Sequence, residues 1–92
     1  MKRSYIGEET LEIHEDSFIS LQYYILEEDV EISGSKYVEY GVEIEKKDHF
    51  RIEKSQIKDI TTDQTRIDSI VKSLMANSVT PIHLHDVIED ML

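Results

Sequence analysis

The sequence predicts an α+β fold: an antiparallel β-meander of about four strands with two C-terminal amphipathic helices packed on one face. Three observations predict it. Residues 10–54 form a succession of β-branched and aromatic segments with alternating polarity, broken by short polar turns. After Thr61 the apolar spacing changes to the i, i+3, i+4, i+7 pattern of a helical stripe. The few residues between the two helices cannot support a long crossover, and the helix pair needs a sheet face to bury against.

Strands are expected at roughly 10–14, 18–32, 36–46 and 49–54. Upstream of these, Tyr5-Ile6 before Gly7 is a weak signal for a short edge strand. In Thr10–His14, Leu11 and Ile13 share one face, and Glu12 and His14 the other. Ser17–Glu27 is rich in strand formers, but both its faces are partly apolar. Ile19, Leu21, Tyr23 and Ile25 alternate with Phe18, Ser20, Gln22, Tyr24 and Leu26, so its phase is ambiguous. Val30 and Ile32 continue it toward a turn at Gly34, with a bulge expected near Glu28-Asp29. Lys36–Lys46 alternates most clearly, placing Val38, Tyr40, Val42 and Ile44 under the helices and Glu39, Glu43 and Glu45 in water. Lys47-Asp48 reads as a turn, and His49–Lys54 as a strand with Phe50 and Ile52 inward. Gly41, on the outer face of its strand, marks a bulge or a close packing contact.

The helices are expected at roughly 63–76 and 81–91. Thr61 and Gln64 have the spacing of a capping box, and Ile67, Ile70, Val71 and Leu74 form the buried stripe. Asn77 is the expected left-handed stop. Thr80 then caps a second helix with Pro81 at its first position, and Leu84, Val87, Ile88 and Met91 repeat the stripe.

Ninety-two residues with 39% hydrophobic and 33% charged content suit a single domain, 1–92, with one modest core. With no cysteine, a disulfide framework and a thiolate metal site are both excluded. No signal peptide or membrane span is present, which makes the cytoplasm the default location. The net charge of −10 is uneven. Residues 1–45 carry twelve acidic groups against three basic ones, leaving −9, whereas residues 46–92 carry eight against seven, leaving −1. That acidity argues against direct contact with nucleic acid or an anionic membrane, and permits a basic protein partner.

No arrangement of residues points to catalysis. No nucleophile elbow, glycine-rich phosphate loop or H-E-x-x-H occurs. His83 and His85 stand two apart, about 200° around a helix, and cannot grip one ion together. His85 and Glu89 form only a pair, and His14 and His49 belong to separate strands. No cofactor or metal is therefore expected. Tyr23, Tyr24, Tyr37 and Tyr40 read as cross-strand packing rather than a base-stacking platform, since glutamates share their strands. The acidic groups remain, as either a solvated face that discourages aggregation or a surface for a basic partner. Glu27, Glu28, Asp29, Glu39, Glu43 and Glu45 are the candidate partner-binding residues.

Y-G-V-E-I (Tyr40–Ile44) and T-P-I-H-L-H-D-V-I-E-D-M-L (Thr80–Leu92) resemble a family of small uncharacterised proteins of low-GC Gram-positive bacteria, known only as a domain of unknown function. The resemblance implies a bacterial, cytosolic protein and carries no assigned site residue. The sequence thus reads as a small acidic, non-enzymatic protein-binding or regulatory module. The alternatives are a nucleic-acid-mimicking inhibitor of a DNA-binding protein and a small enzyme or metal protein using His14, His49, His83 or His85.

Overall fold

The computed structural model describes residues 1–92. Four strands form one antiparallel sheet in chain order: β1 (Lys2–His14), β2 (Ser17–Ile32), β3 (Ser35–Lys47) and β4 (Ile52–Thr61). Helix α1 (Gln64–Ala76) lies across all four strands, and a 3₁₀ turn at Pro81–His83 leads into α2 (Leu84–Met91). The expected α+β meander with two helices on one face is the architecture observed.

The core lies between that face and the helices. Leu21, Tyr23 and Ile25 of β2 meet Tyr40, Val42 and Ile44 of β3, with Ile67, Ile70, Val71 and Leu74 of α1 above them and Leu84 and Ile88 of α2 alongside. This resolves the phase of β2, whose odd positions face the helices. The other face of β2 is also dry in its middle, where Tyr24 and Leu26 are 9% and 2% exposed. A strand buried on both faces has no single apolar phase, which is why alternation was weak there. Tyr23 is wholly buried and donates its hydroxyl hydrogen to the Val79 carbonyl at 2.9 Å, tying β2 to the segment between the helices.

Several local expectations are corrected. β1 begins at Lys2 rather than near residue 10, because pairing with β2 runs from Lys2↔Glu27 to His14↔Ser17. A register shift between Tyr5 and Gly7 reverses its phase: Ser4 pairs with Ile25, but Gly7 with Tyr23. Two residue parities therefore share the helix side of one strand, and simple alternation breaks. Ile13, expected on the same face as Leu11, falls in a second shift and is exposed. β2 has no bulge at Glu28-Asp29 and pairs without interruption to Ile32↔Ser35. Ser33 and Gly34, both with positive φ, close that hairpin as a two-residue turn.

β4 runs from Ile52 to Thr61, not from His49 to Lys54. Asp48 accepts hydrogen bonds from the backbone N–H groups of Phe50 and Arg51, at 2.8 and 2.9 Å, and this Asx turn occupies the expected strand start. Phe50 and Ile52 are consequently exposed rather than inward, and Ile57 and Ile60 pack on the core instead.

The cap of α1 is Asp63, not Thr61. Its carboxylate accepts from the N–H groups of Thr65 and Arg66 at 2.9 and 3.3 Å, while Thr61 Oγ1 accepts from the Asp63 N–H one step earlier. At the other end Asn77 stays outside the left-handed region, and the left-handed residue is Ser78. The bonds Ser78 N–H to Met75 O and Val79 N–H to Leu74 O complete a Schellman motif around it. Thr80 precedes Pro81 as expected, but its side chain makes no cap bond and the first turn is 3₁₀.

Candidate functional site

The uncovered face of the sheet carries most of the candidate residues, and the register divides them into two groups. Gln22, Tyr24, Leu26 and Glu28 of β2 lie opposite Glu45, Glu43, Gly41 and Glu39 of β3, respectively. Arg3 and Tyr5 of β1 lie opposite Leu26 and Tyr24.

The first group is neutralised. Glu43 and Glu45 share the uncovered face as expected, yet they do not stand in water: they are 8% and 6% exposed. Arg3 lies over both. Its Nε donates to Glu43 Oε2 and its Nη2 to Glu45 Oε2 at 3.1 Å, while its guanidinium carbon sits 3.5 Å from the centre of the Tyr24 ring. Lys47 Nζ approaches Glu45 Oε1 at 3.3 Å, and Tyr5 meets Tyr24 edge-on with ring centres 5.7 Å apart. The expectation of two solvated glutamates fails because an arginine forty positions away covers them. A carboxylate that far from water keeps its charge only beside a cation.

The second group makes no ion pair, although Lys58 and the Met1 end border it. Glu39 on β3 faces Glu28 on β2 and lies beside Asp59 of β4. A hydrogen bond shared with Asp59, some burial, and the charges of Asp59 and Glu28 raise the Glu39 carboxyl above its ordinary range. Asp59 reaches this position through an irregularity in β4. Tyr40 pairs with Thr61 and Val42 with Ile57, so Lys58, Asp59 and Ile60 stand against the single residue Gly41. Asp59 itself is left-handed, with φ 58°. A Cβ on Gly41 would collide with the Ile57 carbonyl and the Lys58 backbone, so only glycine allows β4 this close. The reading of Gly41 as a bulge or close packing contact therefore holds in both senses.

Glu27 and Asp29 belong to the same end of the sheet but project toward the helix side, Glu27 opposite Tyr40 and Asp29 opposite Val38. An open hollow of about 480 Å³ runs along this outer part of the hairpin, lined by Asp29, Val30, Glu31, Lys36, Tyr37 and Val38. Of the six predicted residues, the fold gathers Glu27, Glu28, Asp29 and Glu39 at one end and buries Glu43 and Glu45 under Arg3. Sequence reasoning missed Asp59 and Arg3. The glycine at position 41 hinted at close approach by something, but not by which carboxylate, and nothing local marked Arg3 as a partner of β3.

The four histidines are exposed and scattered. His14 ends β1, His49 lies in the β3–β4 turn near Phe50, and His83 and His85 flank the start of α2. No three His, Asp or Glu side chains converge in a metal-binding group. No helix is long and apolar enough to cross a membrane.

Fold and site together define a small two-layer α+β protein with one open sheet face and an acidic hairpin end. The chain belongs to DUF6514, a family of unknown function, whose family model matches residues 2–92. No curated protein and no solved structure matches it.

Proposed function

We propose that this protein is a non-enzymatic binding module whose acidic hairpin end, formed by Glu27, Glu28, Asp29 and Glu39 together with Asp59, receives a basic protein partner. The observation that supports this reading is the contrast between the two carboxylate groups on one face. Glu43 and Glu45 have their counter-charges built in, whereas Glu28, Glu39 and Asp59 crowd together enough to raise the Glu39 carboxyl. A lysine or arginine side chain from a partner would relieve that repulsion, so binding and electrostatic relief coincide. The reading places the protein in the cytoplasm of a low-GC Gram-positive bacterium, as a regulator acting through contact rather than chemistry.

The test is charge reversal at accessible positions. Reversing Glu43 or Glu45 would strand Arg3 and disturb the fold, so the informative variant is Glu28→Lys with Glu39→Lys. Capture of specific partners from lysate should fall by about an order of magnitude at low ionic strength, and wild-type association should slow as salt rises. Sorting the captured proteins by DNA binding separates a general basic partner from the target of a nucleic-acid mimic. Equal recovery of every partner by variant and wild type, both folded by circular dichroism, removes the acidic end from the function.

A further inference from the structure

The uncovered sheet face is charged in opposite senses at its two ends along β3 and β4. Lys47 and Lys54 stand at the end near the β3–β4 turn, and Glu39 and Asp59 at the end toward the β2–β3 hairpin. Lys54 makes no ion pair within the chain, and Lys47 makes only the contact with Glu45. The same face also carries apolar groups at both ends. Phe18 and Ile52, 49% and 58% exposed, lie at the basic end, and Ile32, 56% exposed, lies with Val30 and Tyr37 at the acidic end. Tyr5, 56% exposed, lies between them.

We propose that the basic partner of the acidic end is a second copy of this chain, stacked face to face on the uncovered sheet about a two-fold axis running across the strands. This rests on the reading of the acidic end as a docking surface, and names what docks there. An axis of that orientation lays β3 on β3 and β4 on β4 while exchanging their ends. With the axis at the level of Tyr24 and Leu26, the register fixes which levels meet. Lys54, level with Glu45 and Gln22, comes to the level of Glu28 and Glu39 in the other copy. Lys47 comes to the level of Tyr37, and Phe18 to that of Ile32. Each basic end meets an acidic end twice, because the contact repeats by symmetry. Lys58 and the Met1 end border the same hollow as Glu27, Glu28, Glu39 and Asp59, and the four carboxylates still outnumber the cations there. Glu8 and Glu12 also belong to the basic end, but they lie on β1 at the opposite edge from Lys54, and Glu8 already accepts a bond from Ser20.

The alternative axis, along the strands, would set acidic end on acidic end, so charge selects between the two stackings. Aligned sheets stack about 10 Å apart with strand directions within about 30°. The molecule is 56 Å along its greatest extent, which leaves room for the roughly 800 Å² per partner that a stable interface buries.

Sedimentation equilibrium and light scattering of the full chain, from low to high micromolar concentration, provide the test. The wild type should form a dimer, and Lys54→Glu or Glu39→Lys alone should weaken it by an order of magnitude or more. Mixing the two variants should restore assembly as a heterodimer, because one copy is then acidic at both ends and the other gains a cation where it was acidic. Phe18→Asp, at a surface position that leaves the core intact, should also dissociate the dimer. A chain that is monomeric throughout overturns self-pairing. If lysate capture nevertheless depends on Glu28 and Glu39, the docking surface stands and only its occupant is wrong. A dimer indifferent to all three substitutions overturns this interface.

Discussion

Tyr23 shows how one side chain can carry both packing and polarity. It is wholly buried among core residues, yet its hydroxyl reaches the Val79 carbonyl. Burial, with the charge of Glu9 adding to it, pushes its ionisation up to about 12. The folded state therefore holds a proton that the unfolded chain releases near pH 10, so this residue's contribution is complete below that pH and falls as pH rises toward 12. Tyr23→Phe should cost about 1 kcal/mol at neutral pH, from the lost bond to a buried carbonyl, and should show a shallower alkaline decline. Urea titrations at neutral and alkaline pH measure both effects. Arg3 carries a different load, since removing it leaves two nearly buried carboxylates with only Lys47 nearby. Arg3→Ala should cost about 1–2 kcal/mol, less than for a fully buried pair because the Arg3 side chain is 40% exposed. A change in urea midpoint within error of zero would show that Glu43 and Glu45 rehydrate freely.

Among the elements, β1 and β4 owe their geometry to glycines in close contact. Gly7 lies under the Met75 side chain and Gly41 under the backbone of Ile57 and Lys58. The two contacts differ in what can yield. A thioether can swing aside, whereas a strand backbone moves only with its hydrogen bonds. Gly7→Ala should therefore cost on the order of 1 kcal/mol, and Gly41→Ala should reach or exceed the ~3 kcal/mol upper end of ordinary overpacking. Gly41→Ala should also displace Asp59 from Glu39, which amide shifts of β4 by NMR would report. Equal midpoints for the two variants would mean that β4 relaxes as easily as a methionine side chain.

For the whole molecule, burial on both sheet faces is the distinguishing feature. The helix side holds Leu74, wholly buried against the sheet, and the uncovered side holds Leu26, 2% exposed without any helix above it. Leu74→Ala should cost ~2–5 kcal/mol, and Leu26→Ala about 2 kcal/mol, because its surroundings of flexible charged side chains can collapse into the gap. Chemical denaturation compares them directly. A negligible cost at Leu26 would show that the uncovered face adds little to stability. It would then serve only as a surface.

The pattern of the chain alone determined the number and order of the strands and helices, and that Val42, Ile44, Ile67 and Leu74 point into one core. Those features follow from local periodicity, since burying one face of a regular element imposes its period on the chain. Three outcomes needed the tertiary structure: the length of β1, the burial of Glu43 and Glu45, and the meeting of Glu39 with Asp59. β1 changes phase at Gly7, so its apolar residues follow no single period. Glu43 and Glu45 look solvated by alternation, and only the pairing of β1 with β2 brings Arg3 over them. Asp59 reaches Glu39 because three residues of β4 stand against Gly41, a register that pairing sets and composition does not. Charge contacts join residues distant in sequence, and periodicity carries no record of which strand lies beside which.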